Sequence, residues 1–203
     1  MAMDSKTPFW LHTTDQEDEY KRILGGSVRI NNQDIPVKVV FNDTDVKVPR
    51  LIIRCPHPDF VNKHMHQLPY DYLLFFQTVL LPCISQVAIE HFGIKLVNFR
   101  SEGNVALRYN SNEPITPHWH IVFRGIPKVI DNATHNYPYC DPFNGNDYPL
   151  ATDKLHINNQ TLITKDYLKS YSSHFSMHLF ESIDNYIKMH NLSVDISNLK
   201  KYL

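Results

Sequence analysis

The residues best suited to chemistry are two histidines in the segment 117–124. The chain holds 12 histidines in 203 residues, and His118 and His120 stand two positions apart in the run PHWHIVFR. Because strand side chains alternate between faces, His118, His120 and Arg124 would share one face and Trp119 the other. Paired imidazoles can bind a metal, act as nucleophile and acid or base, or form a polar surface. The spacing therefore predicts that both imidazoles share one face of a strand, and it leaves these three uses open.

A second histidine group consists of His57, His64 and His66. Together with the two strand histidines, this group would supply enough imidazoles for a zinc or iron site. The glutamate that usually follows a Pro-His-x-His string in cupin-type metal sites does not follow the string here. We therefore predict no metal and no cofactor, and we keep a histidine-rich, metal-dependent enzyme as a second alternative.

Composition limits the class of protein. The 20 Lys and Arg residues nearly balance 21 Asp and Glu residues, which argues against a dedicated binder of duplex DNA. We find no run of about 20 apolar residues and an acidic, polar N-terminal segment, so we predict a soluble, cytoplasmic protein without a membrane partner. The three cysteines fit a reducing compartment. Cys55 and Cys83 are expected to be buried as small apolar residues.

The order of predicted elements is typical of an α+β fold with an antiparallel sheet, a long helix between its β halves and a C-terminal helical extension. The expected strands are 27–30, 37–41, 51–54, 94–99, 104–109 and 119–123. The expected long helix covers 70–92, with Pro82 kinking or dividing it and Gly93 ending it. A second helix is expected at 167–190.

The predicted organisation has three parts. Residues 1–24 form an arm or short helix, centred on 15–22. Residues 25–130 form the core. Residues 131–203 comprise an irregular, proline-rich loop followed by the helical extension.

Three segments in the core carry a resemblance. They are IPVKVVFND at 35–43, PRLIIRCP at 49–56 followed by HQL at 66–68, and YNSN at 109–112 followed by TPHWH at 116–120. In this order they resemble the histidine triad family of nucleotide hydrolases and transferases, over roughly residues 35–125. The resemblance implies that family's hairpin, strand, long helix, two strands and histidine strand.

The resemblance also implies a mechanism. In the family, the middle of three histidines attacks an α-phosphate, and its neighbours orient it and protonate the leaving group. This chain has two of the three. Either His120 is the middle residue and Val122 replaces the third histidine, or His118 is the middle residue and Thr116 replaces the first. Both registers stay open.

The predicted function is a nucleotide-binding phosphoramidase, nucleotidyl hydrolase or nucleotidyl transferase. The resemblance implies His118 and His120 as catalytic residues and a nucleotide or nucleotide conjugate as partner, with a homodimer as the expected assembly. The candidate substrate-binding residues are Asn110, Asn112, Thr116, Arg124, Phe41, Ile52 and His66. Polar groups among these would stabilise phosphoryl oxygens, and Phe41 and Ile52 would form the base pocket.

The incomplete triad supports an alternative function. A catalytically inactive relative would keep the fold and bind a nucleotide, RNA or a protein partner. Three tyrosines in the loop 131–149, Tyr137, Tyr139 and Tyr148, could stack on single-stranded bases, because stacking needs aromatic faces and not net positive charge.

Overall fold

A mixed α+β architecture is built from an antiparallel sheet with helices packed on one face. The computed structural model describes residues 21–42, 50–55, 58–60, 63–93, 95–102, 117–124 and 165–203. Within these ranges the strands are β1 Arg22–Ile30, β2 Gln33–Pro36, β3 Lys38–Asn42, β4 Arg50–Arg54, β5 Lys95–Glu102, β6 His118–Arg124, β7 Val194–Asp195 and β8 Leu199–Lys201. The helices are α1 Tyr70–Phe75, α2 Leu81–Phe92 and α3 Lys165–Met189, and short 3-10 turns cover Pro58–Phe60 and Met65–Gln67.

The sheet begins with a hairpin that β1 forms with β2 and β3. Asn31 and Asn32 make its turn with φ angles of 50° and 62°, the left-handed conformations that a two-residue hairpin turn needs. Between β2 and β3 the Val37 amide donates to the Gly26 carbonyl at 2.9 Å, so both strands follow one edge of β1. On the other edge β1 pairs with β7 and β8. Strand β1 is therefore central.

The histidine strand also lies inside the sheet. From the hairpin the order continues β3, β4, β6 and β5, and all of these pairings are antiparallel. Because β6 pairs with β4 on one side and β5 on the other, its backbone is fixed by two hydrogen-bond ladders. The side chains of His118 and His120 therefore project from a strand whose backbone is held on both edges.

The long helix runs from Tyr70 to Phe92 but is not uniformly α-helical. A π-helical turn, Phe76–Leu80, connects α1 to α2 just before Pro82. Proline has no amide hydrogen to donate to the preceding turn, and a wider turn relieves that mismatch. Pro82 was predicted to kink or divide the helix, and the structure shows a π-helical turn immediately before it. Gly93 ends α2 with φ 69°, as its position predicted.

Helix α3 packs on the same face of the sheet as α2. A stripe of its buried residues recurs every four positions, comprising Tyr171, Phe175, Leu179, Ile183 and Ile187. The rings of Tyr171 and Phe175 lie 4.9 and 5.6 Å from the ring of Phe41 on β3. On α2, Phe92 contacts the same two rings. This aromatic cluster joins both helices to the sheet.

The predicted boundaries differ from the structure in two places. Strand β1 begins at Arg22, inside the segment predicted as an arm, because Ile23 and Leu24 are buried in the core. The C-terminal segment is part of the sheet and not only a helical extension, since β7 and β8 pair with β1. Helix α3 agrees with the helix predicted at 167–190 within two residues. The predicted strand 104–109, the loop 131–149 and residues 1–20 lie outside the described ranges.

One described helix, Tyr70–Phe92, is long and apolar enough to cross a membrane by length and composition. Polar residues such as Asp71, Gln77 and Gln86 interrupt its apolar positions, so the helix contains no continuous run of about 20 apolar residues. Half of its most apolar window is buried against the rest of the protein. A core helix of a soluble protein has the same properties, so this feature is weak evidence for a membrane.

Candidate active site on the histidine strand

The two strand histidines lie on the sheet face opposite the helices. Trp119, between them in sequence, turns to the helical side and stacks on Phe76 with ring centroids 3.9 Å apart. Strand alternation then directs His118 and His120 to the other face, as the sequence predicted. Across the β4–β6 ladder, Arg54 is opposite His118 and Ile52 is opposite His120.

The imidazoles of His118 and His120 contact each other directly. Their Nε2 atoms are 3.0 Å apart, and the residues are only 5% and 8% exposed. A hydrogen bond between two Nε2 atoms requires one ring to carry its proton on Nε2 and the other to present a lone pair there. The accepting ring then carries its own proton on Nδ1. The pair thus combines one proton donor and one unprotonated nitrogen at a single point.

Basic residues lie next to the pair in strand register. Lys38 on β3 is opposite Arg54 on β4, and Arg54 is opposite His118. Lys38, Arg54 and His118 therefore lie side by side across β3, β4 and β6, and we call such a line of register partners a row. Lys38 is 7% exposed and Arg54 is partly buried, so both side chains sit in a partly dehydrated environment. Charges in such an environment interact more strongly than they would in water.

The next row is apolar up to the second histidine. Val40 on β3 is opposite Ile52 on β4, and Ile52 is opposite His120. Val40 and Ile52 are 1% and 7% exposed. On β5 the register partners of His118 and His120 are Glu102 and Arg100. Among the described side chains of the two rows, the basic residues beside the histidines are therefore Lys38 and Arg54.

Phe41 does not belong to this face. Its register partners are Leu51 and, through β4, Ile121, and it packs against Tyr171 and Phe175 in the core. The prediction that Phe41 lines a base pocket is wrong, because Phe41 and Ile52 stand on opposite faces in the observed register. Ile52 lies beside His120, and Val40 occupies the place on β3 that the prediction gave to Phe41.

His66 lies in an exposed 3-10 turn and not in a strand. Its ring stacks on that of His64, with centroids 5.6 Å apart and an interplanar angle of 9°. In the described part of the chain, no group of three or more histidine, cysteine, aspartate or glutamate side chains is arranged to hold a metal. The histidine-rich metal site therefore gains no support from these residues, while His57 lies outside them.

The remaining predicted site residues are placed only in part. Arg124 is the last residue of β6, opposite Lys95 on β5. Asn110, Asn112 and Thr116 lie outside the described ranges. Sequence reasoning missed Lys38, Val40 and Arg54. Side-chain alternation within each predicted strand would have shown that Lys38 shares a face with Val40, and Ile52 with Arg54. Only the register between strands shows that these faces are the one that carries the histidines.

The nearby thiol is not available as a competing nucleophile. Cys55 follows β4 directly after Arg54 and is fully buried. Burial raises the pKa of the Cys55 thiol far above its usual range. The phenol of Tyr72 is also buried, and burial, followed by the proximity of Cys55, raises its pKa. Neither group ionises near neutral pH, which leaves the imidazoles as the reactive groups of this region.

Comparison with known proteins gives a likeness of fold. No protein-family model matches the chain, and no curated protein matches it. The crystal structure of the uncharacterized protein LPG0439 is similar to this chain, with a TM-score of 0.60 at 20% sequence identity. The match covers 100% of this chain and 96% of that one. The mixed α+β architecture is therefore shared with a solved structure over nearly the full length of both proteins.

Proposed function

We propose that the His118–His120 pair is the reaction centre of a nucleotidyl hydrolase or transferase that acts at a phosphorus atom. The observation that carries this proposal is the 3.0 Å approach of the two buried Nε2 atoms beside Arg54 and Lys38. A nucleophile needs a lone pair and a leaving group needs a proton. The opposed protonation states of the pair provide both at one position.

The chemical step uses the two rings in different roles. The accepting imidazole attacks phosphorus with its Nε2 lone pair, which forms an N–P bond and breaks the bond from phosphorus to the leaving group. The leaving group keeps the electron pair and takes the Nε2 proton of the donating ring, which acts as an imidazolium so that it is left as a neutral imidazole. Water then displaces the nucleotidyl group from nitrogen and returns a proton to the donating ring. Either histidine can fill either role, so both registers of the triad resemblance are compatible with this scheme.

Electrostatics favours an anionic ligand over a metal at this pair. Lys38 and Arg54 are register neighbours of the pair on its β4 side. A divalent cation would be repelled by these two basic residues, whereas the negative charge of a phosphoryl group would be stabilised. Guanidinium groups also match phosphate oxygens geometrically.

The element order adds support for a histidine triad-like arrangement. Strand β3, strand β4, the long helix, β5 and β6 follow one another along the chain, with β6 between β4 and β5 in the sheet. The three segments of the resemblance supply β3, β4 and the start of β6. We therefore retain the family resemblance as part of the proposal, with a nucleotide or nucleotide conjugate as ligand and a homodimer as the expected assembly.

The first test is calorimetric titration of the protein with AMP and GMP. We expect binding to the wild type, and loss of binding in the His118→Ala/His120→Ala double variant. His190→Ala is the matched control, because His190 is exposed beyond the end of α3 in the helical layer. This control should bind as the wild type does.

Turnover is tested next on nucleoside phosphoramidates and dinucleotides, with intact-mass detection of a nucleotidyl adduct. The single variants His118→Ala and His120→Ala distinguish the roles, since removal of the nucleophile abolishes the adduct. Wild-type turnover in both single variants would overturn the proposal. Binding without turnover or adduct would favour the inactive module that binds a nucleotide, RNA or a protein partner.

A further inference from the structure

Helices α2 and α3 meet through a second histidine pair, remote from the strand histidines in sequence and on the helical side of the sheet. His91, in the last turn of α2, stacks on His178 of α3 with ring centroids 3.7 Å apart and an interplanar angle of 13°. Phe92 approaches His178 edge-on at 6.5 Å. This stack is a direct contact between the two helices that cover the sheet.

Few charges surround the stack. On α3, the Glu181 carboxylate is 3.9 Å from Nδ1 of His178, and His174 lies one turn earlier with its Nδ1 at 2.8 Å from the Ser170 carbonyl oxygen. On α2, the carboxylate of Glu90 accepts hydrogen bonds from Gln86. The stack lines a cleft of about 570 Å³ between the helices. Among the described residues lining this cleft, none is a lysine or an arginine.

The stack tolerates one proton better than two. Two neutral imidazoles, or one neutral and one protonated, can stack favourably, and Glu181 can compensate a single charge on His178. Two imidazolium rings in contact repel each other, and the ion pair of His178 with Glu181 compensates only one of the two charges. In agreement, burial lowers the pKa of His178, proximity to His91 lowers it further, Glu181 opposes the shift, and His174 adds a smaller lowering. The cleft lets solvent protons reach the rings without unfolding.

We propose that the His91–His178 stack is a pH-sensitive latch that holds α3 on α2 at neutral pH and loosens in acid. The sign follows from linkage. His178 takes up its proton less readily in the folded chain than in the unfolded chain, so protons shift the balance toward unfolding as the pH falls below about 6.5. The stabilisation by the stack is therefore fully present above about pH 6.5 and is lost as the pH falls toward the lower pKa that His178 has in the folded chain.

The test compares urea unfolding of the full chain at pH 7.5, 6.5 and 5.5 in the wild type and His178→Phe. Phenylalanine keeps a stacking ring but cannot titrate. One proton of difference between the unfolded and folded states changes the folding equilibrium constant by about tenfold per pH unit at most. Between pH 7.5 and 5.5, we expect the folding equilibrium constant of the wild type to fall by a several-fold larger factor than that of His178→Phe. His190→Gln is the control, because His190 is exposed just beyond the end of α3 and takes no part in the stack, and it should behave as the wild type.

Two results would overturn the latch. One is an equal pH dependence in the wild type and His178→Phe. The other is an equally reduced dependence in His190→Gln, which would assign the effect to histidine titration near α3 in general and not to the stack. If His178→Phe does not fold, nuclear magnetic resonance titration of the His178 ring in the wild type and in His91→Phe replaces it. The midpoint should rise in His91→Phe, and an unchanged midpoint would refute the coupling between the rings.

Discussion

Substitution of Ser176 by alanine tests how α3 is fixed to the sheet. Ser176 is fully buried, and its hydroxyl donates to the Ile23 carbonyl at 2.6 Å and accepts from the Tyr202 amide at 2.8 Å. Leu24 pairs with Lys201, so Ile23 and Tyr202 are the next positions outward on β1 and beyond β8. The serine hydroxyl therefore links β1 to the residue after β8 at the position where the hydrogen-bond ladder between these two strands would continue. Ile23 also lies at the irregularity in the β1–β3 register.

The magnitude follows from the groups left behind. Alanine removes two hydrogen bonds, each worth about 0.5–1.5 kcal/mol, and leaves a backbone carbonyl and an amide without that partner. We therefore expect Ser176→Ala to lower the free energy of unfolding by about 2–3 kcal/mol. For a protein of about 200 residues this corresponds to a fall in Tm of roughly 4–12 °C.

The assay is urea unfolding monitored by circular dichroism, with Ser172→Ala as matched control. Ser172 is one turn earlier on α3 and 2% exposed, and its hydroxyl has no hydrogen-bond partner within the described structure. Its removal should change stability by less than about 0.5 kcal/mol or increase it, because an unpartnered buried hydroxyl is itself costly. Equal losses in the two variants, or an unchanged Ser176→Ala protein, would refute the bridging role.

Two further predictions concern the backbone of β1 and the cysteines. Gly26→Ala should lower stability by about 2–4 kcal/mol in the same assay, because Gly26 has φ +107° and an added Cβ would lie 2.1 Å from the Asn198 carbonyl oxygen. Gly25→Ala, whose nearest obstacle is the movable phenol of Tyr202, should cost clearly less; a reversed order would contradict this explanation. A Cys140→Ser variant keeps only Cys55 and Cys83, which are buried, and burial raises the pKa of both thiols. A disulfide reagent at pH 8 should therefore modify neither thiol rapidly in the native variant, and both thiols in urea. Rapid modification of the native variant would show that one of these sites is open to solvent.

The long helix and the histidine strand show what local pattern can predict. Apolar residues at three- and four-residue spacing gave the helix at 70–92, and Gly93 gave its end, because these signals depend on residues that are neighbours along the chain. The alternation around Trp119 likewise predicted that His118 and His120 share a face. The π turn before Pro82 was not predicted in form, since sequence marks the proline but not how the preceding turn adjusts.

The tertiary structure decided which strands surround the histidines. Period-2 alternation defines two faces for each strand separately, but a shift of register by one residue exchanges them relative to the next strand. That is why Ile52 lies beside His120 while Phe41 lies in the core, although sequence assigned both to one pocket. The same register aligns Lys38 and Arg54 with His118. The tertiary structure also pairs β8 with β1, and these two strands are so far apart in the chain that no local sequence pattern predicts their contact.

By itself, the sequence determined the α+β class, the two main helices and the shared face of the histidine pair, because each follows from spacing within a single element. Only the tertiary structure decided the 3.0 Å contact between the imidazoles, the basic residues beside them and the stack of His91 on His178. Those features depend on strand register and helix packing, which result from burial of the whole core and not from any one segment.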